Sequence, residues 1–480
     1  MKKVLFAASE AVPFIKLGGL ADVVGTLPKN FDKSLYDVRV IIPKYSAIPE
    51  EYDQKMEFVG DFNMKLASKR RYGGVYRLVH DGITFYFVDN EFFFAGEKPY
   101  GEMSDDIEKF VFFSKAVLSV LPLIDFKPDI IHCHGWQTGL VPVFYHDSFA
   151  KEEFYKNIKT VMTVHNFTAQ GAYELNAVKY MTGLDDSYFV PEKLEAYGSA
   201  NLLKGGIVYA DYVTTVSESY AEEVRTRFFG EGLEGLVCEK ADSFKGILNG
   251  IDYDQYNSAK DTYIKYPYDI SNYEENRAKN KLELQKELGL KEDKDVFLIG
   301  IVTGLVNQKG LDLIDCVFDE LCSENVQVII LGSGEKRFEK IFALYSEKYP
   351  EKVSANLKYN RCMAHKMYAG CDALLRPSLF EPCGLSHLKG LRYGAIPIVR
   401  ETGGFKDTVE AYDEFKHTGN GFSFRNYNAY EMLNTINYAK DIYEHDRESW
   451  NKLIENAMKK DYSWGHSALE YQRVYETITN

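Results

Sequence analysis

The feature that most constrains this chain is a repeated exchange between short apolar runs and longer stretches of helical period. Residues 4–8, 38–42, 85–88, 130–133, 160–164 and 212–216 read as buried strands, with helical stretches such as 107–121 between them. A second series follows at 297–302, 326–331, 373–375 and 396–399. Strand–helix alternation of this kind predicts mostly parallel sheets with helices on both faces. The chain is therefore expected to be α/β, with two Rossmann-like doubly wound domains. Between the two series lies a polar stretch rich in Tyr and Asn, from Gly250 to about Asp293, which reads as a surface segment after a domain junction. The helix that follows, 276–289, ends on a glycine cap, and 450–479 reads as helices. The expected boundaries are 1–250, 251–455 and a C-terminal helix at 456–480 that returns to the first domain. At 480 residues the chain is too long for a single core.

Composition narrows the class of partner. A formal net charge of −14 disfavours nucleic acid and anionic membrane, although local cations still decide whether a phosphorylated small molecule binds. The seven cysteines contain no C-x-x-C pair, which argues for reduced thiols rather than a disulfide framework or a zinc site. The apolar run behind Lys2 and Lys3 is too short for a signal peptide and is closed by Glu10. No stretch approaches the roughly 20 apolar residues of a membrane span. A soluble, cytoplasmic protein is expected.

Ligands of doubly wound sheets bind beyond the C-terminal ends of strands, so the loops there are the candidates for chemistry. Lys16-Leu17-Gly18-Gly19-Leu20 precedes a helical pattern. Close backbone approach at the glycines, a helix N-terminus and a lysine together suit a diphosphate. Alone, such a pair is commonly just a turn. Lys309, in Gly304-Leu305-Val306-Asn307-Gln308-Lys309-Gly310, stands at a loop–helix junction and suits phosphate oxygens, or is simply solvated. Phe380-Glu381-Pro382-Cys383-Gly384-Leu385 sets a carboxylate before a helix that starts near Ser386. The amides of Gly384 and Leu385 can cradle phosphate, while Glu381 can bind hydroxyl groups, stabilise a cationic carbon or merely cap the helix. His165 and Asn166 end another strand, where a lone histidine is usually structural, and Thr402-Gly403-Gly404 is a further pair of close-approach glycines.

The order of these motifs is more specific than any one of them. KLGGL at 16–20, HCHGW around His134 and Trp136, VHN at 164–166, KGGIVYADYVTTVSESY at 204–220, ILNGIDY around Asn249, LVNQKGLDL near 310, FEPCGL at 380–385 and PIVRETGGFKDTV at 397–409 resemble the bacterial glycogen synthases and plant starch synthases, glycosyltransferase family five. The resemblance implies a GT-B fold, with an acceptor-side first domain and a nucleotide-sugar donor second domain facing one cleft. It implies retaining transfer of glucose from ADP-glucose to the 4-hydroxyl at the non-reducing end of an α-1,4-glucan, with no metal and no other cofactor. Residue by residue, Lys16 matches a lysine near the donor, His165 the histidine beside the donor glucose, Lys309 a lysine on the diphosphate and Glu381 the essential acid. Gly384 and Leu385 match the amide cradle, with Cys383 and Ser386 beside it. Tyr359 matches an aromatic on adenine and Tyr100 one lining the acceptor side.

The chain also departs from the family pattern. An arginine in the family's R-L-x-x-Q-K-G is Gly304. The family's H-D-W-H is His134-Gly135-Trp136-Gln137, a tyrosine is Ala169, and the arginine of P-S-R-F-E-P is Leu379. A lost charge-assisted contact to a leaving phosphate costs about 2–4 kcal/mol in the transition state. Arg361, Arg376 and Arg400 are the candidates for compensation. Three readings follow: a synthase of altered efficiency, a catalytically impaired glucan-binding or regulatory paralogue, or a retaining glycosyltransferase for another nucleotide sugar. On the first, Gly304→Arg is expected to raise turnover and Gly135→Asp to improve sugar positioning.

Overall fold

F-L-I-G-I-V at Phe297–Val302 and V-Q-V-I-I-L at Val326–Leu331 are buried at every position. Strands covered by helices on both faces carry such unbroken apolar runs. In a computed structural model, which describes residues 1–96, 98–101 and 103–479, the chain divides into one unit of Met1–Asn249 with Trp464–Asn480 and another of Gly250–Ser463.

In the first unit the strands are β1 (Lys2–Ala7), β2 (Tyr36–Pro43), β3 (Glu57–Leu66), β4 (Lys69–His80), β5 (Ile83–Asp89), β6 (Ile130–His134), β7 (Lys159–Val164), β8 (Ala172–Glu174), β9 (Glu195–Ala196), β10 (Ser199–Asn201), β11 (Tyr212–Thr215) and β12 (Phe244–Gly246). Among the described residues the main sheet runs β12-β11-β7-β6-β1-β2-β5-β4-β3, and β8, β10 and β9 form a small separate sheet. Pairing is parallel from β12 to β5. It is antiparallel through β4 and β3, a hairpin that the strand–helix pattern did not predict. Both strands keep one face in solvent and alternate with charged residues, so they lack the continuous apolar run of a buried parallel strand. The helix Trp464–Thr479 packs on this unit, where Tyr475 stacks on Phe31 and its hydroxyl meets His132 Nδ1 at 2.7 Å.

In the second unit the strands are β13 (Phe297–Val302), β14 (Val326–Leu331), β15 (Val353–Asn356), β16 (Ala373–Arg376), β17 (Ile396–Arg400) and β18 (Phe422–Phe424), in the order β15-β14-β13-β16-β17-β18. All pairs are parallel.

Two expectations need correction. The stretch after residue 250 is not a surface segment: Tyr256, Ile264 and Tyr268 are buried in the second core, and Tyr268 donates to the Tyr393 carbonyl at 2.6 Å. Its polarity misled because buried hydrogen bonds, such as those that Asp261 accepts from His365 Nδ1 at 2.7 Å and from the Tyr393 hydroxyl at 2.6 Å, satisfy it. The C-terminal helix starts at Trp464, not at 456; residues up to Lys459 finish the preceding helix, and Asp461 takes the Ser463 amide at 2.8 Å before the last one begins.

Candidate active site

In the Gly250–Ser463 unit the strand order reverses at β13, which lies between β14 and β16. That reversal is where doubly wound sheets bind ligands, beyond the strand ends, and the loops after β13 and β16 are stitched together there. The Leu379 amide donates to the Gln308 carbonyl at 2.9 Å, and Gln308 Nε2 donates to the Phe380 carbonyl at 3.1 Å. Gly310, with φ 68°, permits the approach: a Cβ there would lie 2.0 Å from the Pro377 carbonyl oxygen.

The stitched loops bring Lys309 to Glu381. Its ammonium lies 3.1 and 2.8 Å from the two carboxylate oxygens. Arg376, the last residue of β16, donates to Glu381 Oε2 at 2.9 Å, and the Ser378 hydroxyl donates to the same oxygen at 3.2 Å. Arg376 also donates to the Val302 carbonyl at 3.1 Å and to the Ser386 hydroxyl. Burial pushes the Glu381 carboxyl up, but the charges of Lys309 and Arg376 and the hydrogen bonds from Lys309 and Ser378 outweigh it and hold the pKa at about 2. The carboxylate is therefore ionised at neutral pH and unavailable as a proton donor. Burial lowers the Lys309 ammonium, with Glu381 opposing and Arg376 reinforcing that shift. The cluster holds two cations against one anion, beside the N-terminus of the helix Leu385–Arg392, whose N-cap is Gly384 with φ 78°. Gly403 and Gly404 serve packing: Cβ atoms there would lie 2.0 Å from the Glu381 carbonyl oxygen and 2.2 Å from that of Cys383.

In the first unit the order reverses at β1, between β2 and β6. Glu10, buried just after β1, accepts the Leu17 amide and, at 3.2 Å, the Gly18 amide, and so shapes the glycine loop from beneath. Burial raises its pKa, and hydrogen bonds from Leu17, Gly18 and Tyr100 pull it back. Sequence reasoning missed this residue; its signal was an isolated acid directly behind an apolar strand. Lys16 is exposed and ion-paired with Asp22 at 2.8 Å. At the ends of β6 and β7 stands a row of histidines. His132 accepts or donates to Thr163 Oγ1 at 2.6 Å and stacks on His134 at a centroid distance of 4.2 Å, and His134 Nδ1 meets His165 Nε2 at 3.1 Å. Burial drives His132 and His134 well below the usual imidazole range and His165 to about 4, so all three are neutral at pH 7.

The remaining candidates are placed as follows. Tyr100 packs edge-on against Phe110, and so does Trp136, which also meets Tyr173. Asn166 turns its side chain to the Thr168 amide at 3.0 Å. Asn249 and Cys383 are buried, and Tyr359 is half-exposed before the helix Arg361–Gly370. Among the described residues no cluster of His, Cys, Asp and Glu is arranged to hold a metal ion.

A model of the starch synthase catalytic domain matches residues 3–239, and one of the glycosyl transferases group 1 matches residues 280–460. The chain is 57% identical to the glycogen synthase of Lachnospira eligens and 55% identical to that of Lachnoclostridium phytofermentans, over the whole of all three chains. It belongs to the glycogen synthase family. The catalytic domain of starch synthase IV from Arabidopsis thaliana, solved bound to ADP and acarbose, superposes with a TM-score of 0.93 at 32% identity and covers 100% of this chain and 99% of that one. The architecture is accordingly GT-B.

Against that glycogen synthase family background the departures acquire different meanings. Gly135 has φ 72° and ψ 170°, a region essentially reserved for glycine, and a Cβ there would lie 2.7 Å from the Gln137 side-chain oxygen. Gly135→Asp therefore restores nothing: it is expected to lower stability by about 1–3 kcal/mol, read as a fall in the denaturant midpoint at unchanged m-value. Gly304 is the opposite case. No heavy atom lies within 4 Å of a Cβ built there. Of the arginines that the sequence left open, Arg361 lies over the Tyr263 ring at 5.8 Å and Arg400 over Tyr427 at 5.8 Å, whereas Arg376 joins Lys309 on Glu381. Lys309 is not a lone cation, and this removes the basis for expecting a gain from Gly304→Arg.

Proposed function

We propose that this chain is a working retaining glucosyltransferase that moves glucose from ADP-glucose to the 4-hydroxyl at the non-reducing end of an α-1,4-glucan, without a metal or other cofactor. The observation that carries this reading is the buried Lys309–Glu381–Arg376 cluster at the strand-order reversal, with one cation in excess. In the transfer, the bond from the glucose anomeric carbon to the β-phosphate oxygen breaks as the bond to the acceptor oxygen forms. The acceptor proton passes to the departing ADP on the same face, which retains configuration. Negative charge grows on the diphosphate, where fixed cations and the Gly384–Leu385 helix start stabilise it without reorganisation. Glu381, locked as a carboxylate, supplies negative charge to the cationic anomeric carbon and to sugar hydroxyls. His165 and His134, kept neutral by burial, offer hydrogen bonds to the donor glucose. Glu10 sets the Gly18–Gly19 backbone, and Tyr359 offers a stacking face for the base.

The names of the relatives and the ADP and acarbose of the Arabidopsis structure support the same chemistry. No helix among the described residues is long and apolar enough to cross a membrane, and no disulfide joins the cysteines among them; the proposed place of action is a reducing cytoplasm. The test is transfer by purified protein from ADP-glucose, and separately UDP-glucose, to glycogen, together with a thermal shift. ADP at about 100 times its Kd should stabilise the fold by ~2.7 kcal/mol, a rise of several degrees in Tm. Glycogen binding with no transfer from either donor would support the non-catalytic paralogue instead.

A further inference from the structure

We infer that Arg376 is a diphosphate-binding residue of this enzyme, a guanidinium delivered from the end of β16 to the root of the loop after β13, beside the room left open at Gly304. The inference rests on the donor chemistry proposed above. β13 and β16 are neighbours, paired at Ile299 with Ala373 and Gly300 with Leu374, so Arg376 emerges beside the end of β13. Its Nη1 donates to the carbonyl of Val302, two residues before Gly304, which places the guanidinium at the root of that loop. There Gly304 is exposed and leaves open room, with nothing within 4 Å of its missing side chain.

Charge decides what fills this room. Arg376 and Lys309 share one carboxylate, Glu381, and all three groups are largely withdrawn from solvent. The start of the helix Leu385–Arg392 adds a positive end through the same Ser386 that Arg376 touches. Buried charge without a counter-ion is unfavourable, so such a cluster is completed by an anionic ligand. Arg376 retains donors for it. Of the five N–H groups of a guanidinium, one serves Glu381 and two serve Val302 and Ser386 among the described residues. A planar fork with donors to spare suits two phosphate oxygens, which lysine meets only as a point charge. On this reading the guanidinium missing at 304 is supplied by β16.

The alternative is that Arg376 only holds Glu381 in place, and the two roles separate by ligand. ADP and AMP differ by the β-phosphate, so their calorimetric Kd values are compared in wild type, Arg376→Leu, Arg376→Lys and Arg376→Leu/Gly304→Arg. Arg376→Leu is expected to weaken ADP about 100-fold and AMP less than tenfold. Arg376→Lys, which keeps charge and fold, should give an intermediate loss for ADP. Adding Gly304→Arg should return at least tenfold of ADP affinity in the Arg376→Leu background and give no comparable gain in wild type. Equal losses for ADP and AMP, or no recovery from the arginine at 304, would overturn the inference and leave a structural clamp. Wild-type protein that binds neither nucleotide would overturn the donor reading itself, a distinct result.

Discussion

Glu381→Ala is expected to abolish transfer and also to destabilise the second unit. The carboxylate is the shared counter-ion of two buried cations, and its pKa is held at about 2 because they outweigh its own burial. Its removal leaves Lys309 and Arg376 facing each other with no counter-ion. Breaking a buried pair on one side costs about 3–5 kcal/mol. The expected outcome is a loss of activity of at least about 1,000-fold, corresponding to ~4 kcal/mol of transition-state stabilisation, and a matching drop in the stability of Gly250–Ser463. Glu381→Gln keeps the shape and removes only the charge. It should lose activity almost as completely, since an amide gives little support to a cationic carbon, and should bind ADP no more weakly than wild type because one more positive charge is left for the diphosphate. Hydrogen exchange on β13 and β16 reads the stability, and glycogen labelling reads the transfer. A Gln variant with more than a tenth of wild-type activity would show that the charge of Glu381 is not used in the chemistry.

The second large effect is acid lability of the first unit. His132, His134 and His165 all titrate in the folded state below the ordinary imidazole value, because burial disfavours their charged forms. The unfolded chain therefore binds protons first as pH falls. The stability these groups contribute is complete above about pH 6.5 and declines below it, levelling for His165 near pH 4. At pH 5 His165, which titrates at about 4 in the fold, costs roughly 2 kcal/mol, and His132 and His134 act in the same direction. The sign is opposite in origin but the same in direction for Glu381. Its folded value is depressed, so its contribution is present above the unfolded carboxylate range and lost only as pH falls towards 2. Amides of β6 and β7 should thus lose protection between pH 6.5 and 5, while those of β13 and β14 persist. Simultaneous loss in both units, or earlier loss in the second, would show that the histidine row is not what limits stability in acid.

The sequence by itself determined the class of fold, the positions of most parallel strands and the family, because unbroken apolar runs and glycine-marked loops are local signals. It also singled out Glu381 and Lys309, each of which has a bland explanation alone and is marked only by its place in the ordered set of motifs. It did not determine what each group faces. The β3–β4 hairpin escaped because one face is wet and its pattern is diluted by charge. The stretch after residue 250 looked like surface because its polar atoms are satisfied only by partners far along the chain, at His365 and Tyr393. The close approach expected of the glycine pair at 403–404 is made to the backbone of the Glu381 loop. Most of all, Arg376 was one of three interchangeable arginines in sequence. Only the neighbouring of β13 and β16 makes it the one whose guanidinium reaches Glu381, because strand order is set by long-range pairing that no local window contains.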